Sequence, residues 1–223
     1  MIRKLLICPW FGPLPDWMDL WEANVEKILV PEGYDILRPD SLDGFKARVK
    51  RVLGVGCPIV EGEGKIHDYR CTFGLLFERE LEGYDYWGHT DFDCVYGRVG
   101  TFLPDQVLGA VDIFSNHIDY VSGPWSLYRN EPFINKLFQR YPEWRWHLEN
   151  PDTTGWVERE FTGEVNGAHD EGLLVRRYES WQTRNLDDFS RVRFDDEGRL
   201  VEGEREIMVA HFRRTKVYPG GCR

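Results

Sequence analysis

The sequence lacks paired cysteines, and this absence bears on both metal binding and compartment. The chain of 223 residues contains five cysteines, and no two of them form a Cys-x-x-Cys pair. Zinc sites built from cysteine normally use such pairs, so the sequence argues against that class of site. An odd number of unpaired thiols is typical of a reducing compartment, where cysteines serve as small core residues.

Long apolar runs are also missing. No stretch reaches the roughly 18 consecutive apolar residues that a transmembrane helix needs. The apolar run before Pro9 is shorter than the about 7–15 residues of a signal-peptide core. We therefore expect a soluble, cytoplasmic protein with no transmembrane segment.

Basic residues are in deficit, with 28 Lys and Arg against 38 Asp and Glu and a net charge of −10. A nucleic-acid groove or a site for an anionic membrane needs the opposite balance, because both ligands are held largely by Lys and Arg. An acidic protein that binds a phosphorylated small molecule needs another source of positive charge. A divalent cation held by carboxylates supplies it.

The N-terminal residues show the periodicity of a strand, a helix and a second strand. An apolar run over 3–8 predicts a strand, and apolar positions spaced by three and four predict a helix over 17–29 with Asp16 as its N-cap. Residues 34–37 predict the next strand. A strand–helix–strand unit with short connections indicates a parallel sheet covered by helices.

The remaining patterns predict one α/β domain with a more β-rich C-terminal half. We divide it into two halves, 1–97 and 98–223. Residues 41–64 are ambiguous, and the other predicted elements are helices over 68–81, 104–110 and 132–140, a helix starting at Asp170, strands over 84–95, 111–114, 120–121 and 207–212, and a hairpin over 189–201.

Two aspartates end the aromatic segment 84–95. In a strand, residues two apart point the same way, so Asp91 and Asp93 would project together while Phe92 faces the core. Two carboxylates at a strand end of an α/β sheet form half of a site for a hard divalent cation. The alternative is a solvated surface turn.

A third ligand is predicted near the other end of the chain, where His211 closes an apolar strand. An imidazole with two carboxylates suits Mn²⁺ and tolerates Mg²⁺, and Lys216 could add positive charge to a phosphate. The alternative is a core histidine followed by a basic surface tail.

Four segments resemble a bacterial group of glycosyltransferases whose members are similar to enzymes of the GT-A fold. They are 8–16 (CPWFGPLPD), 65–74 (KIHDYRCTFG), 88–93 (GHTDFD) and 125–130 (WSLYRN). The resemblance implies a Rossmann-like mixed sheet flanked by helices. It also implies a nucleotide-sugar donor, expected to be a UDP-sugar, an Asp-x-Asp-bound Mn²⁺ or Mg²⁺, and a saccharide or glycoconjugate acceptor in polysaccharide assembly.

The resemblance also implies roles for individual residues. Asp91 would touch the metal and the donor, Asp93 would be the firmer metal ligand, and His211 with Lys216 resembles the His…Lys ending of glycogenin-like enzymes. Asp170 lies in a segment similar to their Asp-Gln-Gly-Leu-Leu and would approach the transferred sugar. The expected donor contacts are Arg70, Phe11, Gly12 and Asp40.

Other functional classes remain open from the sequence. Asp91 also fits the first motif of haloacid dehalogenase-like phosphatases, in which it would be the nucleophile. His89 and Asp91 with a later histidine (His147, His169 or His211) imitate the iron site of non-haem oxygenases, although the predicted helices oppose that β-barrel fold. A sugar-nucleotide-binding domain without turnover is the non-enzymatic reading.

Overall fold

A six-stranded mixed sheet forms the centre of the computed structural model of the chain. The structure describes residues 1–62, 64–121, 123–177, 183–186 and 189–212. The strands are β1 (Lys4–Ile7), β2 (Tyr34–Leu37), β3 (Tyr86–Thr90), β4 (Cys94–Tyr96), β5 (Ile113–Ser115), β6 (Trp125–Arg129), β7 (Val175–Arg177), β8 (Thr183–Leu186), β9 (Val192–Phe194), β10 (Leu200–Glu202), β11 (Arg205–Glu206) and β12 (Val209–Phe212).

Helices cover both faces of this sheet. The α-helices are α1 (Met18–Ile28), α2 (Leu42–Leu53), α3 (Phe73–Leu76), α4 (Val99–Phe102), α5 (Asp105–Leu108), α6 (Pro132–Asn135), α7 (Trp144–Glu149) and α8 (Glu160–Asp170). Short 3₁₀ helices span Val30–Glu32, Gly64–Thr72, Leu137–Arg140, Trp156–Glu158 and Phe189–Arg191. Within the described part of the chain, no helix combines the length and apolar character needed to cross a bilayer.

The main sheet has the order β2-β1-β3-β6-β5-β7. Strands β2, β1 and β3 run parallel, β6 is antiparallel to β3 and β5, and β7 runs parallel to β5. Because helices lie on both faces, every residue of β1 and β3 is buried, rather than every second one. Leu5 and Trp87 pack into the core on one face, and Leu6 and Tyr86 into the core on the other.

A second, three-stranded sheet brings the end of the described chain back to the end of β3. Its order is β4-β12-β8, with β12 antiparallel to β4 and parallel to β8. The register pairs His211 with Cys94, so the histidine lies beside the residue that follows Asp93. The third sheet is β11-β10-β9, and its β9–β10 pair confirms the predicted hairpin.

Several predicted elements are confirmed within a few residues: β1, α1, β2, α5, β5 and β12. The prediction of Asp16 as N-cap is wrong, because α1 begins after Trp17 and has no side-chain cap. The helix predicted to start at Asp170 is also wrong. Asp170 instead ends α8, and the following Gly172, with φ of 111°, stops the helix because only glycine adopts that conformation freely.

Three other local predictions need correction. The strand predicted over 84–95 is two strands, because a turn at 91–93 separates β3 from β4. The helix predicted over 68–81 is a 3₁₀ helix, Gly64–Thr72, that leads into the four-residue α3. The ambiguous region 41–64 holds α2, whose start is capped by Ser41, the Oγ of which accepts a hydrogen bond from the Gly44 N–H at 3.1 Å.

Candidate metal centre and adjoining cleft

Three side chains from two distant parts of the chain meet at the end of β3. Asp91, Asp93 and His211 each offer one ligand atom, and these atoms lie within 4.8 Å of one another. His211 Nε2 is 3.4 Å from Asp93 Oδ1 and 3.8 Å from Asp91 Oδ2. The structure therefore brings together the three residues that the sequence proposed as metal ligands.

The backbone of the turn at 91–93 sets the directions of the Asp91 and Asp93 side chains. The Asp91 N–H donates to the Pro124 carbonyl at 3.0 Å, and the Asp93 carbonyl accepts from the Phe212 N–H at 3.0 Å. Phe92 packs edge-on against Trp10 and Trp21, which anchors the turn in the core between the two carboxylates. Convergence thus comes from an anchored turn rather than from strand alternation.

The donor set fits a hard or borderline divalent cation. Two carboxylate oxygens and one imidazole nitrogen are ligands that Mn²⁺ accepts readily and Mg²⁺ accepts less well. An ion with bonds of about 2.1 Å joins ligand atoms up to about 4.2 Å apart, and the distances from His211 Nε2, 3.4 and 3.8 Å, fall within that span.

Neighbouring thiols stay out of this donor set. Burial raises the pKa of the Cys8 thiol to about 12 and that of the Cys94 thiol well above its ordinary value. Neither thiol belongs to the group of ligand atoms that converge among the described residues, which consists of Asp91, Asp93 and His211. The centre is thus one of oxygen and nitrogen ligands.

A cleft with about 880 Å³ of empty space, part of it open to solvent, adjoins the two aspartates. Its charged and histidine lining residues are His67, Arg70, His89, Asp91 and Asp93. The rest of the lining is mainly aromatic and aliphatic, with some glycine backbone: Ile7, Pro9, Trp10, Phe11, Trp17, Ile59, Val60, Gly62, Gly64, Ile66, Phe73, Thr90 and Phe92. A ligand with one apolar, planar part and one anionic part matches this distribution.

Arg70 links the cleft to the metal centre. Its Nη2 pairs with Asp91 Oδ1, and its Nη1 donates to the Gly123 carbonyl at 2.8 Å. The side chains of Arg70 and Asp91 are only 10% and 17% exposed. Solvent therefore screens this pair much less than it screens a surface ion pair.

The other predicted site residues are placed less uniformly. Phe11 lines the cleft, and Gly12 follows it with φ of 125°. Asp40 and Asp170 are exposed and do not belong to the described lining of the cleft. Lys216 lies outside the described residues.

The sequence reading missed the role of the 3₁₀ helix Gly64–Thr72. Every third residue from this segment onward lines the cleft, namely Gly64, His67, Arg70 and Phe73, because side chains three apart are eclipsed in a 3₁₀ helix. The apolar residues Ile59 and Val60 were missed too. The available signal is the spacing of three between these four residues, whereas the α-helix predicted over 68–81 has 3.6 residues per turn.

A family model covers most of the chain, including all three converging side chains. The model for the family of unknown function DUF6625 matches residues 36–216. The chain belongs to DUF6625. In this DUF6625 chain, the match begins within β2 and includes Arg70, Asp91, Asp93 and His211. No curated protein matches the chain.

Solved structures show which fold this DUF6625 chain has. A glycosyltransferase involved in the glycosylation of the major capsid of PBCV-1 superposes with a TM-score of 0.57 at 11% identity, over 94% of this chain and 93% of that one. The expected GT-A-like fold, a mixed sheet flanked by helices, is thereby confirmed.

Two further structures are more distant. Mouse xyloside xylosyltransferase 1 has a TM-score of 0.46 at 10% identity, covering 94% of this chain and 96% of that one. A mutant Drosophila beta-1,4-galactosyltransferase 7, solved with manganese, UDP-Gal and xylobiose, has a TM-score of 0.43 at 16% identity, covering 79% and 65%. The fold assignment rests on the first structure alone.

Proposed function

We propose that this protein is a metal-dependent glycosyltransferase that moves a sugar from a nucleotide-sugar donor to a saccharide or glycoconjugate acceptor. The observation that carries the proposal is the convergence of Asp91, Asp93 and His211 beside a largely apolar cleft that the two aspartates help to line. The GT-A-like fold, and its likeness to a capsid glycosyltransferase of PBCV-1, support it.

The cleft has two kinds of lining residue that suit the two parts of such a donor. The aromatic and aliphatic lining near Phe11 and Ile59 fits the flat face of a nucleobase, since aromatic rings stack on planar groups. The diphosphate would lie beside Asp91 and Asp93, which also line the cleft. A UDP-sugar is the expected donor.

Asp91, Asp93 and His211 would hold Mn²⁺ or Mg²⁺. The bound ion supplies Lewis-acid stabilisation of the negative charge that develops on the departing diphosphate, worth several kcal/mol. The chain's own groups keep the ligand atoms aimed at one point, and the buried turn at 91–93 limits their movement. Fixed ligands of this kind lower the reorganisation needed during the reaction.

Other assignments remain part of the proposal. Asp170 would act near the transferred sugar, Gly12 and Asp40 would contribute to the donor pocket, and Lys216 would meet a phosphate. Division into a donor half, 1–97, and an acceptor half, 98–223, also remains a prediction. None of these enters the metal-binding argument, so each can fail without affecting it.

The phosphatase alternative fits the structure less well. In haloacid dehalogenase-like enzymes the aspartate motif closes the first strand of the fold, whereas here it follows β3, after β1, α1, β2 and α2. Asp91 also pairs with Arg70 and lies near His211, an arrangement suited to a ligand rather than to an unencumbered nucleophile.

The test is a binding screen followed by a turnover assay. Nucleoside diphosphates and their sugar conjugates are titrated against the protein by calorimetry, each with and without Mn²⁺. We expect one nucleotide class to bind only with Mn²⁺. At a nucleotide concentration 100 times Kd, this binding should raise the free energy of unfolding by about 2.7 kcal/mol.

Turnover separates the alternatives. Metal-dependent hydrolysis or transfer of the bound sugar nucleotide is expected for the transferase. Binding without turnover against a panel of acceptors supports the non-catalytic reading, and a covalent aspartyl-phosphate supports the phosphatase. Equal nucleotide binding with and without Mn²⁺ would contradict the proposed role of the metal.

A further inference from the structure

Arg70 was expected from sequence to contact the donor, but its guanidinium is engaged elsewhere. One amino group, Nη2, pairs with Asp91 Oδ1. The other, Nη1, donates to the Gly123 carbonyl at 2.8 Å in a buried hydrogen bond. The planar fork of the guanidinium thus joins a metal-ligand candidate to the backbone next to Pro124, whose carbonyl accepts from the Asp91 N–H at 3.0 Å.

The two oxygens of Asp91 have different partners. Oδ1 faces Arg70, whereas Oδ2 is the oxygen 3.8 Å from His211 Nε2. Rotation about the terminal torsion of an aspartate is soft, since that torsion has no sharp staggered minima. Holding Oδ1 therefore selects the direction in which Oδ2 points.

The segment that carries Arg70 is itself held from behind. Lys65 and Asp68, three residues apart on the 3₁₀ helix Gly64–Thr72, form a fully buried ion pair at 2.8 Å. Asp68 also accepts from the Thr154 and Gly155 N–H groups at 2.8 and 3.0 Å. This anchor is built from contacts within the fold and fixes the helix that carries Arg70, so Arg70 is preorganised.

We propose that Arg70 is a positioning residue that orients Asp91 for metal binding, rather than a residue that binds the donor directly. The inference rests on the proposed metal centre. Partners that orient a metal ligand typically contribute 10–100-fold to metal affinity. Arg70 also carries a positive charge close to the ion, so charge alone predicts the opposite sign: removing Arg70 would tighten binding of a cation.

The experiment exploits this difference in sign. Mn²⁺ affinity is measured by electron paramagnetic resonance and calorimetry, with no nucleotide present, for the native chain, Arg70→Met and Arg70→Lys. We expect Arg70→Met to weaken Mn²⁺ binding at least 10-fold. Arg70→Lys should be intermediate, because a lysine keeps the charge but cannot hold Asp91 and the Gly123 carbonyl with one planar fork.

Arg48→Met is the matched control. Arg48 forms a bidentate pair with Glu80 and donates to the Leu76 carbonyl at 3.0 Å, so the substitution removes a comparable arginine–carboxylate pair that lies outside the cleft lining. Its Mn²⁺ affinity should equal that of the native chain. Thermal unfolding verifies that each variant is folded, and Arg70→Lys provides the reading if Arg70→Met does not fold.

Two results would overturn the inference. Unchanged or tighter Mn²⁺ binding in both Arg70 variants would overturn the positioning role, and weaker binding of nucleoside diphosphate by these variants in a separate titration would then make Arg70 a direct donor contact. Equal weakening in Arg48→Met would make the effect one of general stability. Asp93→Asn in the same assay separates this failure from that of the metal centre, since a native chain that binds no Mn²⁺, or binds it as tightly as Asp93→Asn, overturns the proposed function itself.

Discussion

Two sites in this molecule, the Asp68 site and the Asp91–Asp93 site, differ in how the charge of their carboxylates is balanced. Asp68 faces a lysine and backbone N–H donors: Lys65 Nζ lies 2.8 Å from Asp68 Oδ2, and Thr154 and Gly155 donate to its two oxygens. Lys65 in turn donates to the His147 and Asp152 carbonyls at 2.5 and 2.9 Å. Every one of these contacts is internal to the fold.

At the end of β3 the balance is different. Two carboxylates, Asp91 and Asp93, face the Arg70 guanidinium and a histidine that is charged only when protonated. Asp93 is 7% exposed and His211 likewise 7%, and the cleft opens beside them. A buried carboxylate bonded from all sides stabilises a fold, whereas carboxylates gathered beside a cavity are suited to an external cation.

The largest expected effect is on stability, at the Asp68 site. Asp68→Asn leaves Lys65 buried without its counter-ion, and breaking a buried pair in this way costs about 3–5 kcal/mol. Thermal unfolding should show a midpoint lower by roughly 6–20 °C for a chain of this size. Asp35→Asn is the control, because its pair with Arg3 is over half exposed and contributes about 1 kcal/mol or less. A decrease of less than about 1 kcal/mol in the free energy of unfolding of Asp68→Asn would contradict the difference proposed between the two sites.

The second effect is on activity, at the Asp91–Asp93 site. Asp93→Asn keeps the shape of the side chain but removes one negative ligand, and we expect it to lower turnover at least ~100-fold, about 3 kcal/mol of transition-state stabilisation. Its thermal midpoint should stay within about 4 °C of the native value, because removing the charge of Asp93 also removes its repulsion with Asp91. Asp43→Asn, on the exposed first turn of α2, should match the native chain. Unchanged turnover in Asp93→Asn would contradict a role for this cluster in catalysis.

The smallest effect is a pH dependence of stability at His147, whose carbonyl accepts a hydrogen bond from Lys65 of the Asp68 site. Burial lowers the pKa of His147 below its ordinary value of 6.5, and the ring stacks on Trp156 at a centroid distance of 5.2 Å. The unfolded chain therefore binds this proton more tightly than the folded chain. The stabilisation from neutral His147 is complete above pH 6.5 and is lost as the pH falls through the lower, folded-state pKa.

Urea unfolding at several pH values between 5 and 8 tests this prediction. His147→Phe retains an aromatic ring over Trp156 but cannot titrate, so its stability should fall less than that of the native chain between pH 7 and 5. Identical slopes in the two proteins would show that other groups carry the acid sensitivity.

The elements predicted well from sequence are those whose signal is local. Helix α1 carries apolar residues on one face, with Trp21 and Val25 buried four apart. The β9–β10 hairpin contains the turn residues Asp195 and Gly198 between two strands. Helix α2 had comparable signals, a Ser41 cap and Phe45, Val49 and Leu53 spaced by four, but its many charged residues left only a narrow apolar stripe.

The elements predicted poorly are those whose shape depends on partners. A continuous aromatic run through 84–95 favours one strand, yet the chain turns at 91–93 because Phe92 is drawn between Trp10 and Trp21. The segment 64–72 forms a 3₁₀ helix around the Lys65–Asp68 pair and its contacts with 147–155. Such long-range contacts decide between local conformations, here a 3₁₀ helix and an α-helix, that a sequence pattern leaves open.

The amino-acid sequence by itself determined the α/β class, the approximate positions of β1, β2, β5 and β12 and the identity of the three ligand candidates, because apolar periodicity and the chemistry of Asp and His are local properties. Only the tertiary structure decided that these three side chains share one point and that Arg70 is committed to Asp91. The physical reason is strand pairing: β12 lies antiparallel to β4, and that register, fixed by burial of both strands, places His211 beside the turn at Asp91 and Asp93.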